Sequence, residues 1–172
     1  MNRKTWGMVA MAAAALAVRG AEPPVDYASR MISATFKVFQ KDSTATGFLV
    51  AAPAPPSNLV VLVTARHVLE KATGDQVLLV LRKPKGDGTF ERYDHSVRIR
   101  DGKKDLWTTH PTQDIAAMLV RLPDGPEGRE AAPLPMDALA TEKDLLVAGL
   151  HAGSPALMLG FPTRFESNAA GF

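Results

Sequence analysis

Cysteine is missing from the sequence altogether. Its absence excludes disulfides, thiolate-bound metal and a cysteine nucleophile. Phosphate-cradling glycine loops are missing too, since neither a G-x-G-x-x-G nor a Walker-type string occurs. No H-E-x-x-H string supplies the paired histidines of a zinc peptidase. There is no internal repeat, and no low-complexity tract outside the first twenty residues. The apolar stretch Trp6 to Val18 is too short for a comfortable membrane span.

What is present in that stretch has the pattern of an export signal. Asn2-Arg3-Lys4 is a short basic region, an Ala- and Met-rich apolar run follows, and Val18-Arg19-Gly20 offers small residues where a signal peptidase would cut. A retained amino-terminal anchor is the competing reading. Removing residues 1–20 takes away Arg3, Lys4 and Arg19 and no acid, so 20 Lys and Arg become 17 against 18 Asp and Glu, and the formal net charge moves from +2 to −1. The basic character therefore belongs largely to the signal and gives no support to nucleic-acid binding, so no nucleic-acid partner is expected. With 172 residues, 46% of them hydrophobic, the chain is long enough to bury a real core.

Residues 21–30 read as a polar lead-in stiffened by Pro23 and Pro24. Six strand-like runs follow between residues 31 and 122. Met31–Gln40 mostly alternates, and Thr44–Ala52 carries Gly47 inside it, where glycine marks a bulge or a close backbone approach. After a Pro-rich loop, Leu59–Thr64 is a short β-branched apolar run that reads as a buried strand. Ala65–Ala72 reads as a helical turn or two with Gly74 as its C-terminal cap. Gln76–Arg82 and Thr89–Arg100 flank K-P-K-G-D-G, whose Asp87-Gly88 pair signals a hairpin. Trp107–Asp114 reads as a loop and Ile115–Leu122 as the sixth strand. Arg98, Arg100, Lys103 and Lys104 are interleaved with Asp101 and Asp105, which suits a solvated rim. Residues 123–143 read as a linker because Pro123–Glu130 is rich in Pro, Gly and charge. Two more strands, Asp144–Leu150 and Ala156–Phe161, fall in residues 144–172.

Chemistry centres on His67, which stands where the apolar strand Leu59–Thr64 breaks into a turn. Scaffolds hold reacting groups at such strand mouths, yet a histidine near apolar residues is also commonly structural. A histidine base needs a carboxylate to orient its ring and a hydroxyl to deprotonate. Asp114, just before the sixth strand, is the candidate carboxylate; a turn or capping role is the alternative. His110 and Asp114 have the spacing of helical metal ligands, but Pro111 between them disfavours a helix. His95 and His151 stand alone and read as structural or exposed.

Three segments taken together resemble the trypsin-like serine peptidases: A-T-G-F-L-V at Ala45–Val50, L-V-T-A-R-H-V-L-E at Leu62–Glu70, and H-P-T-Q-D-I-A-A-M-L-V at His110–Val120. In that family a G-F-L-V strand precedes one ending in T-A-x-H, and the catalytic Asp opens a D-I-A-x-L strand. Arg66 takes the place of the commoner Ala beside the histidine. The resemblance implies an all-β fold of the trypsin-like double β-barrel type, with residues 31–122 as a complete first six-stranded barrel and 144–172 as part of a second. It makes His67 the general base and Asp114 its partner. L-M-L-G-F-P at Leu157–Pro162 resembles the second barrel only loosely.

The family's G-x-S-G-G nucleophile motif does not occur. Ser154 is followed by Pro155 and lacks the glycines that shape an oxyanion hole, and Ser167 is no better placed. Nor is there an Ile-Val-Gly-Gly activation start, although Arg30-Met31-Ile32 sits where one would lie; bacterial exported members that need no released amino terminus are more similar. The expectation is an exported, periplasmic or secreted serine-type endopeptidase whose nucleophile lies outside this sequence. It would use a polypeptide substrate or protein partner, no metal and no cofactor, and would not insert stably in the membrane once the signal is removed. A protease-fold binding module without a nucleophile is the alternative, and an unrelated β-barrel binding protein the third reading.

Overall fold

The computed structural model describes residues 26–41, 43–52, 56 and 58–161. The expected signal, most of the Pro-rich loop and Ser167 lie outside the described residues. A helix, not a strand, comes first. In α1 (Tyr27–Ala34) the Asp26 carboxylate accepts the Ser29 amide at 2.9 Å and the Ser29 hydroxyl at 2.6 Å, an N-cap. Ile32 is the one β-branched residue in the helix. The start of the expected strand Met31–Gln40 is therefore helical, because this local cap outweighs a short alternation. Arg82 holds the far end, donating to the carbonyls of Ile32 at 3.0 Å and Ser33 at 3.3 Å.

β1 (Thr35–Gln40), β2 (Ser43–Ala51) and β3 (Leu59–Thr64) then form a meander. A single helical turn, α2 (Arg66–Glu70), leads to β4 (Gln76–Pro84) and β5 (Phe90–Arg98). Their hairpin closes as the Asp87-Gly88 pair foretells: Gly88 has φ +80°, and Asp87 accepts the Thr89 amide at 2.9 Å. The small hairpin β6 (Arg100–Asp101) and β7 (Lys104–Asp105) follows, turning at Gly102 with φ +59°. Within the segment read as a loop, β8 (Thr108–Thr109) adds a short strand, and β9 (Ala116–Arg121) completes the set.

One antiparallel sheet runs in the order β5-β4-β1-β2-β3-β9-β8, so the described structure is mostly β. β3 is central. Val60, Leu62 and Thr64 point into the core while Val61 and Val63 are half-buried, which is why the run reads as apolar on both faces. Leu49, Leu62, Leu69, Leu79, Leu81 and Ile99 are fully buried, each worth about 1.5–3 kcal/mol of transfer free energy. Two strands far apart in the sheet order are also joined by a side chain: His95 Nε2–H of β5 donates to the Arg121 carbonyl of β9 at 2.9 Å.

Beyond β9 the chain departs from the strand expectation. α3 (Pro126–Glu130) forms within the segment read as linker; it has Pro at its first turn, packs against β4 and buries Glu127. Residues 131–134 lie along the open end of β2, where Ala51 N–H donates to Leu134 O and Leu134 N–H to Leu49 O, both at 2.8 Å. After a 3₁₀ turn at Met136–Ala138, Asp144–Leu150 is not a strand. α4 (Glu142–Val147) occupies it, because Thr141 and Asp144 form a reciprocal capping box. Ala156–Phe161 is not a strand either. No ladder partner meets it among the described residues; its end is held by Phe161 N–H on the Thr46 hydroxyl at 2.7 Å, with the Lys37 amine 5.6 Å from the Phe161 ring centroid.

Candidate active site

The geometry around His67 begins with the end of β3. Thr64 is buried and its hydroxyl donates to the Thr46 carbonyl at 2.8 Å, so the strand is fixed up to its last residue. Ala65 is extended and offers no side-chain cap, and α2 starts at once. The helix is shorter than the expected Ala65–Ala72, closing with Lys71 N–H on His67 O at 3.1 Å. Gly74 is not its cap: Lys71 fills that position in ordinary right-handed geometry, and Gly74 does not have positive φ.

Asp114 supplies what Ala65 cannot. Its Oδ1 accepts the His67 backbone N–H at 3.0 Å, its main-chain carbonyl accepts the Arg66 N–H at 3.3 Å, and its Oδ2 lies 2.6 Å from His67 Nδ1. The carboxylate thus caps the helix and orients the imidazole at one stroke. Because a carboxylate oxygen only accepts, Nδ1 carries the proton, which leaves the lone pair of the neutral ring on Nε2. Both side chains are about half exposed, 52% and 50%. The hydrogen bonds from the His67 ring and backbone hold the Asp114 carboxyl below its ordinary value of 3.8, with smaller help from the charges of His67 and Arg66.

The loop that presents Asp114 is organised by another imidazole. His110 N–H donates to Ile115 O at 2.9 Å, closing residues 110–115 at their base. Its Nδ1 accepts the backbone N–H of Gln113 at 3.0 Å and of Thr112 at 3.3 Å. His110 is therefore a local cap and does not share a metal geometry with Asp114. No cluster of three or more His, Cys, Asp or Glu side chains suited to a metal exists among the described residues.

Other residues singled out in the sequence lie apart from this pair. Ser154 bonds within its own turn, its hydroxyl accepting His151 N–H at 3.1 Å. His151 Nδ1 pairs with the Ala152 carbonyl at 3.0 Å. Among the described residues no hydroxyl is hydrogen-bonded to His67 Nε2. The tract read as a solvated rim divides: Arg98 is exposed beside Asp101, whereas Arg100 is tucked beneath α2. Arg98 and Arg100 are two residues apart and both interleaved with acids, and nothing in that charge pattern separates them. No helix among the described residues is long and apolar enough to cross a membrane. No protein-family model, curated protein or solved structure matches this chain.

Proposed function

We propose that this chain carries the general-base pair of a trypsin-like, serine-type endopeptidase, with His67 as base and Asp114 as its orienting partner. One observation carries the reading: a single carboxylate engages both the backbone N–H and the ring Nδ1 of His67, at 3.0 Å and 2.6 Å. That two-point contact sets ring orientation and tautomer together, which a merely structural histidine does not require. The strand order supports a first barrel of the expected kind, since β5 and β9 would be the strands to meet on closure, and His95 already links them.

In the proposed reaction a serine hydroxyl, carried by polypeptide other than the described residues, attacks the carbonyl carbon of a peptide bond. Its proton passes to His67 Nε2. The imidazolium is stabilised by Asp114, which stays ionised because its carboxyl is held below the ordinary range. His67 then gives the proton to the leaving amine as the C–N bond breaks. Water hydrolyses the acyl-enzyme by the same cycle, restoring the hydroxyl. The described residues alone perform no acyl transfer. Export after cleavage at Gly20 belongs to the same proposal, and a mature chain beginning at Ala21 would support it.

The test is fluorophosphonate labelling of the protein as its gene encodes it. Labelling of a single serine that is lost in His67→Ala is the expected result; labelling indifferent to His67 would overturn the assignment. A second reading, a protease-fold binding module without a nucleophile, draws on the lack of a described hydroxyl at Nε2. It calls for peptide binding that survives His67→Ala with no labelling in any form of the protein.

A further inference from the structure

The His67 turn is a weak element on its own. α2 has five residues and no side-chain cap at Ala65, and isolated helices so short do not persist in water. Its amino-terminal end is held by Asp114, as described. Its carboxyl-terminal end presents carbonyls that the helix cannot satisfy, and these converge on one guanidinium.

Arg100 Nη2 donates to Leu69 O at 2.7 Å and makes a longer contact with Glu70 O at 3.4 Å. Nη1 donates to Ala72 O at 2.8 Å and Gly74 O at 2.9 Å. Nε donates to Asp105 Oδ1 at 3.0 Å, which fixes the plane of the fork. The Arg100 side chain is 19% exposed, against 48% for Asp105. Gln40 Nε2 takes the remaining nearby carbonyl, Val68 O, at 2.6 Å. The positive charge also sits at the negative end of the helix. The hairpin β6/β7 brings Arg100 and Asp105 opposite one another in register, so the presentation of this fork is built into the sheet.

We infer that Arg100, braced by Asp105, is a positioning residue for His67: it fixes the carboxyl-terminal end of α2 so that the imidazole stays in register with Asp114. The inference rests on the general-base reading for its purpose, but its geometry concerns only the histidine–aspartate pair. A lysine at this position has one nitrogen and cannot span carbonyls from Leu69 to Gly74, so Arg100→Lys is not conservative here.

The experiment is NMR on the full chain in wild-type, Arg100→Lys, Arg100→Gln and Asp105→Asn forms, following the hydrogen-bonded Nδ1 proton of His67 and the titration of the Asp114 carboxyl. The expected wild-type signature is a slowly exchanging Nδ1 proton and an Asp114 carboxyl that titrates below its ordinary value. The expected result is a graded rise of the Asp114 midpoint toward 3.8, least in Asp105→Asn and greatest in Arg100→Gln, with faster exchange of the Nδ1 proton and core amide shifts unchanged. If Arg100→Gln does not fold, the order of Asp105→Asn below Arg100→Lys carries the same test. A lowered melting temperature with an unmoved Asp114 midpoint would show a merely stabilising residue and overturn the inference. A wild type without the protected proton or depressed midpoint overturns the pair itself, whereas absent peptidase labelling with the pair intact overturns only the proposed reaction.

Discussion

Gly47 lies inside β2 opposite Thr64, the last residue of the strand that leads to His67. A Cβ built there would sit 2.8 Å from Leu62 Cδ1, 3.0 Å from Val38 Cγ2 and 3.4 Å from the Val63 carbonyl oxygen. Favourable carbon contacts lie at about 3.5–4.0 Å, so the first two are well inside the repulsive wall. Leu62 and Val38 are both 0% exposed, which leaves neither side chain room to retreat. Overpacking of this kind costs about 1–3 kcal/mol. Against it stands the stabilisation of about 0.4–1 kcal/mol that Gly→Ala brings by restricting the unfolded chain. The net expectation for Gly47→Ala is a loss of about 1 kcal/mol, which at a slope of about 2 kcal/mol per molar lowers the urea midpoint by about 0.5 M. The assay is equilibrium urea unfolding at 25 °C, with Leu62→Val and the double variant alongside. Leu62→Val removes the Cδ1 atom that clashes, so the double variant should be more stable than the sum of the two losses by about 0.5 kcal/mol or more. A Gly47→Ala midpoint at or above wild type, or strict additivity in the cycle, would refute the close-approach account of this glycine.

Three further outcomes follow from the same geometry. His67→Ala removes the ring contact that contributes most to lowering the Asp114 carboxyl, so its midpoint by carbon-13 NMR should rise toward 3.8 while the backbone bond to residue 67 remains. With a folded value below the unfolded one, the stabilisation from this carboxylate is fully present above about pH 4 and is lost as pH falls through the folded value; the His67→Ala variant should show a smaller loss over that acid window. His95→Ala leaves the Arg121 carbonyl without its imidazole donor and should lower stability by about 0.5–1.5 kcal/mol in urea unfolding, whereas an equal midpoint would show the link between β5 and β9 to be idle. His110→Phe frees the amides of Thr112 and Gln113, and hydrogen exchange at Gln113 should quicken by about 3- to 10-fold; unchanged exchange would mean the loop holds its shape without the imidazole cap.

Much of the sheet was legible because its signals are local. The run Leu59–Thr64 has one feasible burial, the Asp87-Gly88 pair has one favoured turn, and both stand where the sequence puts them. The failures share a cause as well. Tyr27–Ala34 and Glu142–Val147 are short stretches of mixed apolar and polar residues whose periodicity admits either period, and in both the deciding information is the cap: Asp26 just before the first, and Thr141 just before the second with Asp144 in its first turn. Reading caps before periods would have recovered both helices. Ala156–Phe161 is different, since its composition suits a strand but a strand needs a ladder, and no partner for one is present among the described residues.

The candidate site shows a sharper division between what spacing reveals and what only folding brings together. His67 and Asp114 are 47 residues apart and meet at 2.6 Å, and they were found because each stands at the mouth of an apolar strand; β3 and β9 are paired neighbours, Thr64 opposite Ala116, so their mouths open side by side. Arg100 has no such marker. It follows Ile99 at a break between two strands, and its role depends on the hairpin β6/β7 folding back toward a helix that ends 30 residues earlier in the chain. In a chain without cysteine the turn that carries His67 is tied by hydrogen bonds at both ends, to Asp114 at one and to Arg100 and Gln40 at the other. The base is thus held by side chains from β1, β6 and the loop before β9: β9 pairs with β3, β1 lies beyond β2 in the same sheet, and β6 belongs to a separate two-stranded hairpin whose Arg100 reaches the end of α2.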